Sequence, residues 1–193
     1  MKREWSIGLM TGTANDGNID IAALQTDGNK IINFGPFELF SYEDKEIKDL
    51  IFQTYQEAKK WNFKNREPEI FSIIEKKITL EQSKAVLKFI NKYKFKKDNI
   101  SCIGFHGLTV LHQSRSSTNL SVQTRQLGDG QMMADYLHLP VVNNFRSNDI
   151  YHGGQGAPLA PIYHLALAKY IKEKNIVFLN IGGVSNITYV GNT

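Results

Sequence analysis

The order of the apolar runs is the feature that most constrains how this chain can fold. Three β-type runs come first, over residues 4–10, 19–26 and 30–40. Asp27 and Gly28 separate the last two runs, and Asp-Gly between apolar runs is a strong hairpin signal. The sequence therefore predicts an antiparallel sheet of three strands at the start of the chain.

Helical spacing of apolar residues follows this segment. Residues 44–63 place apolar side chains three and four positions apart, which predicts a helix. Pro68 is suited to begin a second, short helix. Thr79 and Gln82 resemble a capping box ahead of another apolar face, which predicts that a third helix begins there. The segment 44–97 is thus predicted to be helical.

Strands and helices alternate over the rest of the chain. Residues 129–138 and 159–174 have helical patterns, whereas residues 143–158 form a polar, glycine-rich stretch that predicts a loop. Short apolar runs predict the remaining strands, over residues 100–105, 120–127, 140–142, 176–181 and 185–190. A three-stranded meander followed by such alternation indicates an α/β fold of the ribonuclease-H-like type, a mixed sheet flanked by helices.

Charge and apolar content limit the partners and the compartment. Residues 41–100 account for the net charge of +4. Basic and acidic residues alternate in this segment, as on a solvated helix face. We therefore expect no nucleic-acid partner, which would favour clustered Arg. No apolar run approaches the roughly 18–20 residues of a membrane span. With no signal-peptide pattern and one cysteine, Cys102, predicted to be a buried thiol, we expect a cytoplasmic protein without membrane contact.

The loop between the first two strands, residues 8–17, is a candidate phosphate site. Gly12 and Gly17 permit positive φ angles, so successive N–H groups can converge on an anion. Asp16 or Asp20 suits a magnesium ion, bound directly or through water. A plain turn is the alternative, because the Gly-Lys-[Ser/Thr] ending of a Walker motif is absent.

Two further stretches carry candidate functional groups. His106 and Thr109 follow the strand 100–105 and could bind a polyhydroxylated ligand, although a structural histidine is the alternative. The stretch 143–158 concentrates Arg146, Asp149, His152 and Gln155, and there we favour a functional role. A carboxylate in such a loop can act as a general base, and an arginine can orient it or meet a phosphoryl group. Asp129 is predicted to cap the following helix.

Six sequence blocks, taken in order, resemble the anhydro-N-acetylmuramic acid kinase family. The first reads Gly-Leu-Met-Thr-Gly-Thr-Ala-Asn-Asp-Gly-Asn-Ile-Asp, and the fourth reads Val-Val-Asn-Asn-Phe-Arg-Ser-Asn-Asp. The blocks cover residues 8–20, 106–112, 126–130, 141–149, 153–159 and 179–188. The resemblance extends over nearly the whole chain except its Lys-rich middle.

The resemblance implies a fold, a domain division and a reaction. The fold would be the ribonuclease-H-like lobe of the sugar-kinase/actin/heat-shock ATPase superfamily, with residues 1–174 as the first lobe and 175–193 as the truncated start of a second. The reaction would be ATP-dependent phosphorylation of 1,6-anhydro-N-acetylmuramic acid with hydrolytic opening of its anhydro ring. The product would be N-acetylmuramic acid 6-phosphate, formed in cell-wall recycling.

The resemblance also implies the roles of individual residues. Asp149 matches the family's general base. His106, Thr109, Arg146 and Gln155 would bind the sugar, and Asp16 or Asp20 would hold Mg²⁺. The ATP phosphates would contact the first block, at Gly12, Thr13, Ala14, Asn15, Asp16, Gly17, Asn18, Ile19 and Asp20.

Four departures from the family pattern keep alternatives open. Ala14 stands for a serine, Asn18 is inserted, Leu108 replaces a glutamine and Asn144 replaces an aspartate. Because family members are longer, we expect this chain to be an incomplete fragment with little or no kinase activity on its own. A noncatalytic sugar- or nucleotide-binding module, a kinase for a different anhydro-sugar, and a homodimer all stay open.

Overall fold

The first three strands form the antiparallel sheet that the hairpin signal predicts. The computed structural model describes residues 4–11, 17–64, 66–115, 121–181 and 185–191. Strands β1 (Glu4–Met10), β2 (Asn18–Thr26) and β3 (Ile31–Ser41) pair in sequence. Asp27 Oδ1 accepts hydrogen bonds from the amides of Asn29 and Lys30 at 3.0 Å, which closes the turn between β2 and β3.

Two parallel strands extend this sheet on its other side. Strands β4 (Ile100–Phe105) and β7 (Val141–Asn143) give the order β3-β2-β1-β4-β7, with β4 parallel to β1 and β7 parallel to β4. Helices α2 (Glu69–Lys92) and α3 (Gly130–Leu137) complete the adjacent layer. The predicted mixed sheet with flanking helices is confirmed.

Alternate residues of the central strands build the first hydrophobic cluster. Ile7 of β1 lies opposite Ile103 of β4, and both side chains are fully buried. The C-terminal half of α2 and one face of α3 pack against them through Ala85, Val86, Phe89, Ile90, Met133 and Leu137. This cluster fixes the strand ends from which the candidate site projects.

Helix α2 is continuous, so the predicted boundary at Thr79–Gln82 is wrong. Pro68 precedes its first turn in an extended conformation, as predicted for a helix start. No glycine or proline interrupts residues 69–92, and buried apolar side chains recur along the whole length. Thr79 and Gln82 are themselves buried in the middle of the helix, where their polar atoms bond to neighbouring loops.

A second hydrophobic cluster lies beside the N-terminal half of α2. Helix α1 (Ile47–Trp61) and the hairpin of β5 (Leu108–Gln113) with β6 (Gln123–Leu127) supply its other walls. Its buried members are Ile47, Ile51, Ala58, Phe71, Ile74, Ile78, Leu108, Val110 and Leu127. Strand β5 was not predicted, because the run that follows His106 is short and mixed in polarity.

The stretch predicted as the loop 143–158 contains helix α4 (Phe145–Tyr151). Asn144 adopts a left-handed conformation with φ 53° and turns the chain directly from β7 into this helix. The residues from 144 to 152 include no glycine or proline, which explains why a helical turn forms there. The loop prediction was therefore wrong for this part of the stretch and holds only for the glycine-rich residues after it.

The last elements are helix α5 (Pro161–Ile171) and the hairpin of β8 (Ile176–Asn180) with β9 (Asn186–Val190). This separate two-stranded sheet matches the predicted closing hairpin. The turn between α5 and β8 contains the proposed boundary between residues 174 and 175, and the division into two lobes stays a prediction.

Two smaller expectations concern the thiol and the membrane. Cys102 is half-buried rather than buried, because its position in β4 directs it away from Ile103 and toward Ser6, whose Oγ lies 3.8 Å from the thiol. Within the described ranges, no helix combines the length and the apolar character that crossing a membrane requires.

Replacing Phe89 tests the first cluster. Its side chain is 0% exposed and contacts the rings of Phe40, Tyr93 and Phe95. We expect Phe89→Ala to lower the free energy of unfolding, measured by urea denaturation, by about 3–5 kcal/mol. The matched control is Phe37→Ala on β3, a side chain that is 81% exposed. Equal losses for the two variants would contradict this packing.

Candidate active site

Both ends of the candidate phosphate loop are tied to the same buried glutamine. Gln82 Nε2 donates to Thr11 Oγ1 at 2.6 Å and to Tyr42 OH at 3.0 Å. The Tyr42 amide donates to the Gly17 carbonyl oxygen at 3.2 Å. The predicted contacts at Gly12, Thr13, Ala14, Asn15 and Asp16 lie outside the described residues. Helix α2 and the segment after β3 therefore set where the loop begins and ends.

The predicted loop residues that the structure describes have different environments. Gly17 has a φ of +83°, a conformation that L side chains rarely adopt. Asn18 Oδ1 accepts from Ser41 Oγ at 3.1 Å, and Ile19 is buried in the first cluster. Asp20 faces the other, exposed side of the sheet, beside a cleft of about 520 Å³. Burial thus keeps the Ile19 side chain away from a ligand, whereas Asp20 is exposed.

Of the described residues, Gly17 and Asp20 have features compatible with a bound phosphate and with Mg²⁺. The positive φ of Gly17 suits a loop whose N–H groups surround a phosphate. Mg²⁺ in phosphoryl-transfer sites takes one or two carboxylates, with phosphates and water as its other ligands. In the described part of the chain no three His, Cys, Asp or Glu side chains form a complete metal cage. The exposed Asp20 suits that mode of binding, in which the nucleotide completes the coordination.

A second constellation forms around α4 and the glycines after it. The Gly156 amide donates to Asp149 Oδ2 at 2.7 Å, and the Gly154 amide donates to the Asp149 backbone oxygen at 2.8 Å. A Cβ atom on Gly154 would lie 2.1 Å from Asp149 Oδ2. The close approach requires glycine at this position, and it fixes one oxygen of the carboxylate.

Arg146 joins α4 to the turn between β4 and β5. Its NH1 donates to the Gly156 carbonyl oxygen at 2.7 Å, and its NH2 lies 3.2 Å from His106 Nε2. His106 Nδ1 lies 3.0 Å from the Gly107 oxygen, so the proton belongs on Nδ1 and Nε2 accepts from Arg146. Gln126 Nε2 donates to the His106 carbonyl oxygen at 3.1 Å. Side chains from β6 and α4 thus both bond to His106, Gln126 to its backbone oxygen and Arg146 to its imidazole.

Burial and the guanidinium control protonation in this cluster. Burial lowers the pKa of His106, the hydrogen bond to the Gly107 oxygen partly opposes this shift, and the charge of Arg146 makes a smaller contribution that lowers the pKa. Burial and then Arg146 also lower the pKa of His112. Burial alone lowers the pKa of Arg146. Both imidazoles are therefore neutral near pH 7 while Arg146 keeps its charge.

The structure does not pair Arg146 with Asp149 directly. Instead, Asp149 accepts from the Gly156 N–H while Arg146 donates to the Gly156 oxygen, so one glycine separates the two charged groups. The other predicted sugar ligands lie around them. Thr109 Oγ1 is buried without a partner among the described residues, and Gln155 Oε1 accepts from the Arg115 amide at 3.0 Å.

The sequence did not predict that Gln126 has a role beside Arg146 and His106. Gln126 binds His106 through Nε2, and its Oε1 accepts from the Arg146 amide at 3.4 Å. A prediction of the β5–β6 hairpin would have placed Gln126 opposite Thr109. The sequence did not predict that hairpin. His152, by contrast, is exposed, with Nδ1 2.9 Å from the Asn148 oxygen at the end of α4.

A separate cleft of about 480 Å³ opens beside α3. Glu75, Gly128, Asp129 and Asn143 line it, and Glu75 Oε1 accepts from the Gly128 amide at 2.9 Å. Asp129 caps α3 as predicted, with Oδ1 accepting from the Met132 amide at 2.9 Å. Apart from Asp129, these lining residues are not among the candidate functional groups.

Comparison with models of protein families shows which family this chain belongs to. A model of the family described as anhydro-N-acetylmuramic acid kinase matches residues 4–192. The chain belongs to this family. Its sugar-kinase/actin/heat-shock ATPase type of fold agrees with the mixed sheet and flanking helices described above.

Curated relatives carry the same family name. The anhydro-N-acetylmuramic acid kinases of Brucella anthropi and Rhizobium rhizogenes are 46% and 45% identical over 190 residues, 98% of this chain and 51% of each relative. Anhydro-N-acetylmuramic acid kinase 2 of Jannaschia sp. is 48% identical over 185 residues, 95% of this chain and 48% of the relative. The chain therefore spans about half the length of these relatives.

Two departures from the family pattern have structural explanations. Asn144 occupies the left-handed position before α4, which asparagine tolerates well, and its Oδ1 accepts from Ser147 Oγ at 2.7 Å. Leu108 is buried in the second cluster, where an apolar side chain packs favourably.

The pKa of His106 tests the Arg146 contact. We expect Arg146→Gln to raise this pKa, because the substitution removes a positive charge and a donor to the neutral imidazole. Proton NMR titration of the imidazole measures the change. Arg115→Gln is the control, because Arg115 is exposed and its amide is the group that bonds near the site among the described residues. An unchanged pKa in Arg146→Gln would contradict the contact.

The same pKa shift predicts how stability depends on pH. The pKa of folded His106 lies below its ordinary value of 6.5, so the unfolded chain binds a proton first as the pH falls. We therefore expect this group to lower the free energy of unfolding as the pH decreases from about 6.5 through the folded pKa. Denaturation of wild type and His106→Gln at several pH values measures the difference. A wild-type contribution that grows on acidification would contradict the sign.

Gly154→Ala tests the close approach to Asp149. The added Cβ must displace the carboxylate, so we expect the Gly156 amide to lose its acceptor. Hydrogen exchange at this amide should accelerate by about 10- to 100-fold. Gly8→Ala is the control, because its Cβ would meet no atom within 4 Å. Unchanged protection of the Gly156 amide in Gly154→Ala would contradict the geometry.

Proposed function

We propose that this chain forms the sugar-activating lobe of an ATP-dependent kinase for 1,6-anhydro-N-acetylmuramic acid. The observation that carries the proposal is the carboxylate of Asp149, with one oxygen held by the Gly156 N–H. Among the described residues Oδ1 has no protein donor, which leaves it available for a water molecule. The family membership supplies the reaction in which such a water is needed.

Asp149 acts in this proposal as the general base. It takes a proton from a water whose oxygen forms a bond to the anomeric carbon, while the bond from that carbon to the bridging oxygen breaks. The freed 6-oxygen would receive the γ-phosphoryl group of ATP, and ADP would be the leaving group. The hydrogen bond from the Gly156 amide orients the carboxylate before the water arrives.

The cofactors of the proposal are ATP and Mg²⁺. Bound ATP would supply the phosphoryl group, and the metal would offset its charge. The loop from Gly12 to Asp20 would hold the phosphates, with Asp16 or Asp20 toward the metal. Gln82 and Tyr42 support this assignment, because they fix both described ends of the loop.

His106, Thr109, Arg146 and Gln155 are the proposed sugar ligands. His106 and Arg146 support this role through their shared hydrogen bond near Asp149. The product would be N-acetylmuramic acid 6-phosphate, formed in the cytoplasm during cell-wall recycling. A homodimer stays a prediction.

A fusion protein tests the reaction and the base together. We would join this chain to the remaining half of the Brucella anthropi kinase, whose first half is 46% identical. We expect ATP-dependent formation of N-acetylmuramic acid 6-phosphate, and a loss of about 10²- to 10⁴-fold in kcat for Asp149→Asn. The control is Asp135→Asn, an exposed carboxylate on α3 that bonds to Gln131. Near wild-type turnover by Asp149→Asn would contradict the assignment.

The unfused chain discriminates between the alternatives. We expect it to show little or no kinase activity, because it spans about half the length of its relatives. Robust turnover by the 193-residue chain would contradict the expectation that it is incomplete. A fusion that binds sugar and nucleotide without turnover would favour the noncatalytic module, and preferential turnover of levoglucosan would favour a different anhydro-sugar kinase.

A further inference from the structure

A lysine lies beside the described end of the candidate phosphate loop. The Tyr42 amide donates to the Gly17 carbonyl oxygen at 3.2 Å, which brings the chain after β3 back to the loop just before α1 begins at Ile47. A Cβ atom on Gly17 would lie 3.8 Å from Lys48 Cδ, the range of van der Waals contact. The aliphatic stem of Lys48 therefore passes directly beside this end of the loop.

Packing of the first turn of α1 fixes the backbone from which Lys48 extends. Ile47 and Ile51 are buried in the second cluster. The Ile47 amide donates to the Asp44 carbonyl oxygen at 3.2 Å, and the Glu46 amide donates to Asp44 Oδ1 at 2.9 Å. The Lys48 side chain is itself exposed. Its Cα atom is thus held in place, while its stem keeps the freedom to bring the ammonium group to a ligand at the loop.

The charges around the start of α1 suit an anionic ligand. The carboxylates that precede the helix pair with α2, where Lys77 Nζ lies 2.8 Å from Asp44 Oδ2 and 3.8 Å from Glu46 Oε2. These pairs offset negative charges that would otherwise repel a phosphate. Asp49 follows Lys48 directly, and adjacent residues of a helix do not face each other. The N-terminus of α1 adds partial positive charge of its own.

The loop itself contains no cationic side chain. Residues 8–20 include no lysine or arginine, although the phosphates of ATP carry several negative charges. Backbone N–H groups and a magnesium ion offset part of such a charge, and a lysine ammonium does so in the phosphate loops of other nucleotide-binding proteins. A cation supplied by a neighbouring element suits this loop, and Lys48 lies beside it.

We propose that Lys48 binds the phosphate groups of the nucleotide held by this loop. This inference rests on the proposed function, and it adds a binding residue from outside the six blocks that carry the family resemblance. A lysine ammonium suits the role, because it is a compact charge with several donors on a flexible stem. The Lys-rich middle of the chain, predicted to be a solvated helix face, thus contributes a side chain to the site.

Kinetics of the fusion with the remaining half of the Brucella anthropi kinase test the proposal. Lys48→Met removes the charge and retains a long, unbranched side chain that favours a helix. We expect the KM for ATP to rise about 10- to 100-fold, because a charged hydrogen bond is lost. The kcat and the KM for the sugar should stay unchanged, and Lys48→Arg should restore most of the affinity for ATP.

The matched control is Lys59→Met, at an exposed lysine in the last turn of the same helix. It lies about 16 Å along the helix axis from Lys48, so its KM for ATP should equal that of wild type. An unchanged KM for ATP in Lys48→Met would overturn the inference and leave the proposed function intact.

Titration of the fusion with ATP and with adenosine separates a phosphate contact from a structural role. Adenosine has no phosphate, so Lys48→Met should bind it as wild type does, while binding ATP about 10- to 100-fold more weakly. Equal weakening of both ligands would assign Lys48 a structural role, which overturns the inference. If the wild-type fusion neither binds ATP nor turns it over, the proposed function fails and the inference fails with it.

The complete 193-residue chain provides a measurement without the fusion. The probe is inorganic tripolyphosphate, which we expect to shift the Lys48 Nζ–H resonance and the Gly17 amide resonance in wild type. Lys48→Met should bind it about 10- to 100-fold more weakly, whereas Lys59→Met should not differ from wild type. Equal affinities of wild type and Lys48→Met for tripolyphosphate would contradict the contact.

Discussion

The burial of helix α2 is the constraint on which the rest of the structure depends. Its N-terminal half packs into the cluster with α1 and the β5–β6 hairpin, and its C-terminal half packs under the central sheet. Within the described part of the chain, no other helix or strand contributes buried residues to both clusters. The relative position of the sheet and the hairpin, and therefore of the groups they carry, follows from this one helix.

Polar side chains of the same helix connect that packing to the candidate site. Gln82 binds Thr11 at the start of the phosphate loop, while Thr79 accepts from the Asp129 amide at 3.0 Å. Buried polar groups must find partners to offset their desolvation, and here the partners are loops at the ends of strands. The same buried surface of α2 therefore forms part of the hydrophobic core and positions the proposed nucleotide loop.

The sequence predicted the elements whose signals are local. The Asp27–Gly28 turn and the Asp129 cap are confirmed because each depends on bonds to the next few residues. The predicted helix start at Thr79 was wrong, because the side chains of Thr79 and Gln82 bond to distant loops. A capping pattern in the sequence cannot distinguish such bonds from those at the start of a helix. Arg146 and Asp149 were proposed as site residues from their residue types. Their shared contact with Gly156, and the role of Gln126, depend on tertiary contacts between α4, the glycines and an unpredicted hairpin.

Mapping where the sugar binds tests the central claim most directly. In a ¹H–¹⁵N titration of the chain with 1,6-anhydro-N-acetylmuramic acid, the account predicts the largest amide shifts at His106, Gly154 and Gly156. The cleft beside α3, lined by Glu75 and Asn143, should show smaller changes. Largest shifts in that cleft, with the glycines after α4 unaffected, would contradict the assignment of the sugar site to Asp149 and Arg146.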